Sequence, residues 1–72
     1  MYPRIRGLRE DKDLNQTQMA KILNMSQTGY SKYETGENDI PTAILIKLAE
    51  FHNTNVDYIL GLTDNPTYFK EL

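Results

Sequence analysis

Apolar residues recur at spacings of three and four along most of the chain, with polar residues between them. Short polar or glycine-containing turns divide this pattern into five segments, and none alternates with the period of two expected of a strand. The pattern predicts helices over about 3–12, 16–23, 27–35, 42–52 and 56–60. The predicted fold class is therefore all-α, a compact bundle of five short helices.

Short polar residues mark the predicted helix starts. Asn15, Ser26 and Asn55 stand where an N-cap accepts a backbone N–H of the following turn, and Gln18 follows Asn15 as in a capping box. Gly36 is placed to end the third helix in the left-handed conformation. The second and third helices are thus joined by a turn of three or four residues, which is the arrangement of a helix-turn-helix unit.

Length and composition limit the class of protein. Seventy-two residues fit one domain, predicted over residues 1–62, with a polar tail over 63–72. The absence of cysteine excludes disulfides and suits a reducing cytoplasm. The longest apolar run, residues 43–46, is far shorter than the roughly 20 residues that span a bilayer, and the N-terminus lacks a signal-peptide pattern. We expect a cytoplasmic protein with no membrane partner, no cofactor and no small-molecule effector domain.

The formal net charge of −2 disfavours a nucleic-acid partner at first sight. Its distribution is uneven, because residues 1–33 carry six basic and three acidic residues, a net charge of +3. Residues 34–72 carry two basic and seven acidic residues, a net charge of −5. The six basic residues of the first half are Arg4, Arg6, Arg9, Lys12, Lys21 and Lys32. They could form one face for DNA, and ordinary solvated charges explain the distribution equally well.

The third predicted helix carries side chains suited to base recognition. A major groove about 12 Å wide admits one helix, and only its first turns reach base edges. The residues expected to face outward are Gln27, Thr28, Ser31 and Lys32. Gln pairs in bidentate fashion with adenine, Thr contacts a base or a thymine methyl, and Lys binds guanine or phosphate. Gln16 opens the second helix, where the partial positive charge of the helix N-terminus favours a phosphate.

Four sequence strings are distinctive in combination. They are LNQTQMA at residues 14–20, NMSQ at 24–27, YETG at 33–36 and VDYILG at 56–61. Together they resemble the lambda-repressor-like family of Cro-type (XRE) helix-turn-helix regulators, over residues 4–61. The resemblance implies a five-helix fold of the lambda-repressor-like type and binding to double-stranded DNA as a transcriptional regulator. It also suggests a bacterium, phage or mobile element as the source.

The same resemblance implies roles for particular residues. It places Gln27, Thr28 and Lys32 against bases. It implies phosphate or DNA-backbone contacts from Asn15, Gln16, Ser26, Thr35 and Gly36. It also implies a structural ion pair between Arg9 and Glu34, which would tie the first helix to the end of the third. Phosphate binding is the second interpretation of Arg9.

Two positions depart from the family pattern. Asn24 stands where the family usually has glycine, but Asn also adopts the left-handed conformation, so we expect the turn to persist. Gly29 stands inside the third helix where the family usually has Ser, Thr or Ala, and glycine there costs about 1 kcal/mol relative to Ala. Close approach of the backbone to DNA and neutral drift are both open explanations.

One domain of this size reads only a few base pairs. Each good base contact contributes roughly 1–3 kcal/mol, which is too little to single out one operator in a genome. We therefore expect a homodimer that inserts its third helices in successive major grooves of a roughly palindromic operator, most simply as a repressor. The candidate dimer contacts are Val56, Ile59, Tyr68, Phe69 and Leu72.

Other functions fit these residues less well. The single histidine, His52, lies at the end of an apolar helix with no neighbouring metal-ligand pattern, and the carboxylates are scattered, so we expect neither a metal site nor an enzyme. The rival interpretation is a protein-interaction module of the same fold, such as an antirepressor or antitoxin-like partner. Polar side chains at Gln27, Thr28 and Lys32 favour DNA, because a protein-contact face would carry apolar or aromatic anchors.

Overall fold

The computed structural model describes residues 2–67, so Tyr68, Phe69 and Leu72, named above as dimer contacts, lie outside the described residues. Within residues 2–67 the chain forms five helices and no strand: α1 (Ile5–Asp11), α2 (Gln16–Ile22), α3 (Gln27–Thr35), α4 (Thr42–Phe51) and α5 (Val56–Ile59). The all-α prediction is confirmed. No helix in this part of the chain is both long enough and apolar enough to cross a membrane.

Side-chain caps begin three of the helices. Asn15 Oδ1 accepts the Gln18 N–H at 2.8 Å while Gln18 Oε1 accepts the Asn15 N–H at 2.9 Å, which completes the predicted capping box. Ser26 Oγ and Asn55 Oδ1 each accept the backbone N–H three residues later, at 3.1 and 2.7 Å. Each bond satisfies a donor that the helix leaves unpaired, and such a cap contributes about 1 kcal/mol.

Residues in the left-handed conformation end the helices. Asn24 has φ 59° in the turn between α2 and α3, and Gly36 has φ 83° after α3. Asn24 thus adopts the left-handed conformation expected for it, since its short polar side chain tolerates a positive φ. The two helices of the helix-turn-helix unit are joined by residues 23–26, and α2 packs against α3.

The core contains apolar side chains from every helix. Ile5, Met19, Tyr30, Leu48 and Ile59 are all 0% exposed. Ile59 is therefore part of the core, and its prediction as a dimer contact is wrong, because a fully buried side chain has no surface to offer to a second copy. The pattern at i and i+3 of the short α5 placed it correctly on the apolar face but could not tell core from interface.

The chain after α5 is attached to the helices. Arg4 Nη1 donates to the Thr63 carbonyl at 3.0 Å, and Arg4 Nη2 donates to Asp64 Oδ1 at 2.7 Å. The Asn55 side-chain amide donates to two carbonyl oxygens further along the chain, at 2.9 and 2.7 Å. Residues 63–67, which the sequence pattern assigns to a tail, are thus hydrogen-bonded to the start of α1 and to the cap of α5.

Candidate nucleic-acid interface

The first turns of α3 present polar side chains on one face. Gln27 and Thr28 are exposed, and Ser31 and Lys32, one turn later, are half-buried. The two tyrosines of α3 lie in the core on the opposite side. The four residues predicted to read bases therefore share the face that points away from the protein. A helix is about 10–12 Å across with its side chains, which matches the width of a major groove.

A chain of hydrogen bonds runs from the core to this face through three helices. Arg9 Nε and Nη2 donate to Glu34 Oε2 and Oε1 at 2.7 and 3.1 Å. Gln16 Nε2 donates to Glu34 Oε1 at 3.0 Å, and Gln27 Nε2 donates to Gln16 Oε1 at 2.8 Å. The ion pair between α1 and α3 is thus present, and it is linked through α2 to the first residue of α3.

The Glu34 carboxylate, at the inner end of this series of hydrogen bonds, determines the orientation of the Gln16 and Gln27 amides. A carboxylate only accepts hydrogen bonds, so Gln16 must point its Nε2 at Glu34 and its Oε1 at Gln27. Gln27 must then donate through Nε2, which leaves its Oε1 and its second N–H free to face outward. Sequence reasoning placed Gln16 and Gln27 at this surface but missed their contact, since no local pattern links residues 11 positions apart in different helices.

The ion pair between Arg9 and Glu34 is largely buried. The Arg9 and Glu34 side chains are 10% and 5% exposed. Burial would raise the pKa of Glu34, but hydrogen bonds from Arg9 and Gln16 outweigh it and hold that pKa below its ordinary value. The hydrogen bond to Glu34 raises the pKa of Arg9 against the opposing effect of burial. Both groups are therefore charged and neutralise each other, so the phosphate-binding interpretation of Arg9 is wrong.

The residues predicted to contact phosphates lie at the ends of α2 and α3. Asn15 and Ser26 are exposed, and the oxygen of each accepts a capping bond, which leaves the Asn15 amide N–H groups and the Ser26 hydroxyl hydrogen able to donate. Thr35 Oγ1 lies 3.2 Å from the Lys32 carbonyl. The Gly36 N–H already donates to a carbonyl of α3 at 3.2 Å, so a phosphate there would have to share it.

Most of the basic side chains in residues 1–33 have partners inside the protein. Arg4 pairs with Asp64, Arg6 pairs with Glu10 at 3.2 Å, Arg9 pairs with Glu34, and Lys12 Nζ lies 5.2 Å from the centre of the Phe51 ring. Lys21 and Lys32 form no ion pair with the residues that the structure describes. Ion pairs therefore reduce the local positive charge at Arg4, Arg6 and Arg9, whereas Lys12, Lys21 and Lys32 keep theirs.

Gly29 has a reason to be glycine that lies within the protein. A Cβ atom at this position would stand 3.1 Å from Met25 Cε and 3.1 Å from Ser26 Oγ, closer than most such contacts. Gly29 also donates its N–H to Ser26 Oγ. The missing side chain therefore leaves space for the Met25 methyl group, an explanation that neither interpretation of the sequence included.

The turn after α3 is held by the N-terminal segment. Tyr2 accepts the Ile40 N–H at 2.9 Å and donates its hydroxyl hydrogen to Asp39 Oδ1 at 3.3 Å. These two hydrogen bonds join residues that lie 37 and 38 positions apart in the sequence, and the sequence carries no local signal for them.

In the described part of the chain, His, Asp and Glu side chains form no group that could hold a metal ion.

The fold agrees with the comparison against known families. A helix-turn-helix family model matches residues 5–59, which include all five helices. The chain belongs to the XRE-type helix-turn-helix family.

Two relatives come from Bacillus subtilis (strain 168). The chain is 38% identical over 63 residues to the uncharacterized HTH-type transcriptional regulator YobD, across 88% of this chain and 56% of the relative. It is 33% identical over 58 residues to the HTH-type transcriptional regulator ImmR, across 81% of this chain and 46% of the relative. The chain thus spans about half the length of these curated relatives. No solved structure matches it significantly.

Proposed function

We propose that this chain is a sequence-specific DNA-binding domain of a transcriptional regulator, with α3 as the recognition helix in the major groove. The observation that carries the proposal is the oriented amide of Gln27. Its Oε1 and one N–H are free at the exposed start of α3, and these are the acceptor and donor that pair with N6 and N7 of adenine. The names of both relatives, which call them transcriptional regulators, support the same function.

Neighbouring side chains complete the proposed interface. Thr28 is exposed beside Gln27, and Ser31 and Lys32 follow on the same face, so all three can address adjacent bases or phosphates. The phosphates beside the groove would be bound by donors at the helix ends: the side chains of Asn15, Gln16 and Ser26, and the backbone near Thr35 and Gly36. Because few basic side chains are available, neutral donors carry much of the contact to DNA in this proposal.

We further propose a homodimer on a palindromic operator that represses by occupying the operator. One copy supplies too few base contacts to select a single site, and a two-fold dimer doubles them at a spacing of about 34 Å. Val56 is half-buried at the start of α5 and is the described residue we assign to the dimer contact. Tyr68, Phe69 and Leu72 remain candidates from the sequence.

Removal of residues 68–72 tests the contribution of these last three residues. The truncation keeps Thr67, whose carbonyl binds Asn55, so the hydrogen bonds of residues 63–67 to the domain are retained. Sedimentation velocity of the full chain should show a dimer, and the truncated chain should shift to monomer. A dimer that survives both the truncation and Val56→Ser would contradict this assignment.

Selection of binding sites from random duplex DNA tests the proposed function. The enriched site is then titrated with the wild type and a Gln27→Ala, Lys32→Ala variant at two salt concentrations. We expect a palindromic site whose affinity the variant reduces at least a hundredfold, because two base contacts are lost in each half-site. Lys47→Ala, on the exposed face of α4, is the control and should bind as the wild type does. If no sequence is enriched, the domain belongs with the protein-interaction modules of the same fold.

A further inference from the structure

The turn formed by residues 36–39, named here the α3–α4 turn, folds back on the end of the proposed recognition helix. The Asn38 N–H donates to the Lys32 carbonyl at 3.2 Å, and the Glu37 N–H donates to Thr35 Oγ1 at 3.4 Å. The turn is therefore packed beside the last turn of α3. With α3 in the major groove, as proposed, this turn would stand at the end of the helix, on the side of the phosphates that border the groove.

Two carboxylates are held in this turn. Glu37 Oε1 lies 3.1 Å from Thr35 Oγ1 and shares its hydroxyl hydrogen with the Lys32 carbonyl, and Asp39 Oδ1 accepts the Tyr2 hydroxyl at 3.3 Å. Both residues are exposed, and neither forms an ion pair with the residues that the structure describes. The hydroxyl donors restrict where the negative charges point without neutralising them.

The balance of charge at this surface is unusual for a protein that binds DNA. Lys32 is the basic side chain on the exposed face of α3, and Glu37 and Asp39 follow within seven positions. Sequence-independent binding to DNA comes almost entirely from phosphate neutralisation by basic side chains. Carboxylates held close to the same phosphates act against that attraction.

We propose that Glu37 and Asp39 set the non-specific DNA affinity of this domain to a low value. The inference rests on the proposed function, because it assumes that α3 faces the major groove. A carboxylate close to the phosphate backbone repels it, and this repulsion weakens as salt screens the charges. Weak non-specific binding keeps the protein from being retained on bulk DNA, so that stable binding requires the base contacts of α3.

A charge-neutralising pair of substitutions tests this assignment. Glu37→Gln with Asp39→Asn removes both charges but keeps the oxygens that accept from Thr35 and Tyr2. The matched control is Glu50→Gln with Asp57→Asn, which changes net charge equally at exposed positions of α4 and α5. Fluorescence anisotropy then measures binding to a labelled duplex of arbitrary sequence, about two helical turns long. Thermal unfolding of each variant verifies that the fold is unchanged.

We expect the Glu37 and Asp39 variant to bind the arbitrary duplex about fivefold more tightly at 50 mM salt, because the repulsion of the two carboxylates is removed. The gain should shrink at 200 mM salt, and the control variant should change by less than twofold. Equal changes in both variants would attribute the effect to net charge alone and overturn the assignment, as would no change in either. Site selection with the wild type is independent, since failure to enrich a sequence rejects the proposed function and leaves the non-specific measurement unaffected.

Discussion

Gln27, the first residue of α3, is bonded to Gln16, the first residue of α2, through a 2.8 Å contact between Gln27 Nε2 and Gln16 Oε1. Since Gln16 also donates to Glu34, the orientation of the outer amide depends on an ion pair in the protein interior. The proposed recognition helix α3 is thus positioned by its packing against α2. It is also held by the series of hydrogen bonds that runs from Arg9 to Gln27, its first residue. The inner members of this series are partly buried, where hydrogen bonds that satisfy each other's partners favour one arrangement, and its outermost contact is exposed.

The first prediction concerns this contact. Gln16→Ala should weaken binding to the selected DNA site because Gln27 loses the partner that orients it. In a double-mutant cycle with Gln27→Ala, we expect a coupling free energy of about 1 kcal/mol, the size of one neutral hydrogen bond. Titration of the four proteins against the same duplex measures it. Strictly additive effects would show that the two amides act independently on DNA.

The second prediction concerns the ion pair between Arg9 and Glu34. Arg9→Met should lower the free energy of unfolding by about 3 kcal/mol, because it leaves a largely buried carboxylate without its cation. Replacing both residues with Met should recover most of this loss. Arg6→Met, which breaks the exposed pair with Glu10, should cost less than about 0.5 kcal/mol. Urea unfolding compares the three variants with the wild type, and equal losses for Arg6→Met and Arg9→Met would contradict the difference in burial.

The third prediction concerns pH. His52 is 8% exposed, and neither ring nitrogen has a hydrogen-bond partner among the described residues. Burial, helped by the nearby charge of Lys12, lowers the pKa of His52 to about 4. Below pH 6.5, His52 is protonated in the unfolded chain but stays neutral in the folded chain. The free energy of unfolding should therefore fall between pH 6.5 and pH 4, by up to about 3 kcal/mol.

His52→Phe is the variant that isolates this effect. Phenylalanine keeps a planar ring without buried unpaired nitrogens, so the loss between pH 6.5 and pH 4 should disappear, and stability at pH 7 should not decrease. The lowered pKa of Glu34 also adds stability that is lost on acidification, but only as the pH falls below the ordinary carboxyl value of 4.5. Urea unfolding across this pH range distinguishes the two groups. An unchanged slope in the variant would mean that His52 is not the titrating residue.

The fourth prediction compares two glycines in helices. Gly7→Ala should stabilise the protein by about 0.5–1 kcal/mol, because Ala is the better helix former and a Cβ at Gly7 has no atom within 4 Å. Gly29→Ala should gain much less, because its Cβ would stand 3.1 Å from the cap oxygen of Ser26 and from the Met25 methyl group. Thermal unfolding measures both variants. Equal stabilisation at the two sites would show that the contacts around Gly29 are easily relaxed.

Local signals predicted the helices because each signal acts within a few residues. Asn15, Ser26 and Asn55 cap helices through N–H groups three residues later, and Gly36 ends α3 with a positive φ, so the information lies in the sequence neighbourhood. The spacing of apolar residues likewise identified the buried faces. The same signals, read with the family strings, identified α3 and the four side chains on its exposed face.

Contacts between distant residues had to come from the tertiary structure. Ile59 lies in the core, Arg4 binds residues 63–64, and Gly29 leaves space for Met25, yet none of these follows from spacing along one helix. The sequence alone determined which helices form, where the side-chain-capped helices α2, α3 and α5 begin and which face each helix buries, because capping and amphipathic spacing are local. The tertiary structure decided which charges are neutralised and how the Gln27 amide is oriented. Those properties arise only where packing brings together side chains from different helices.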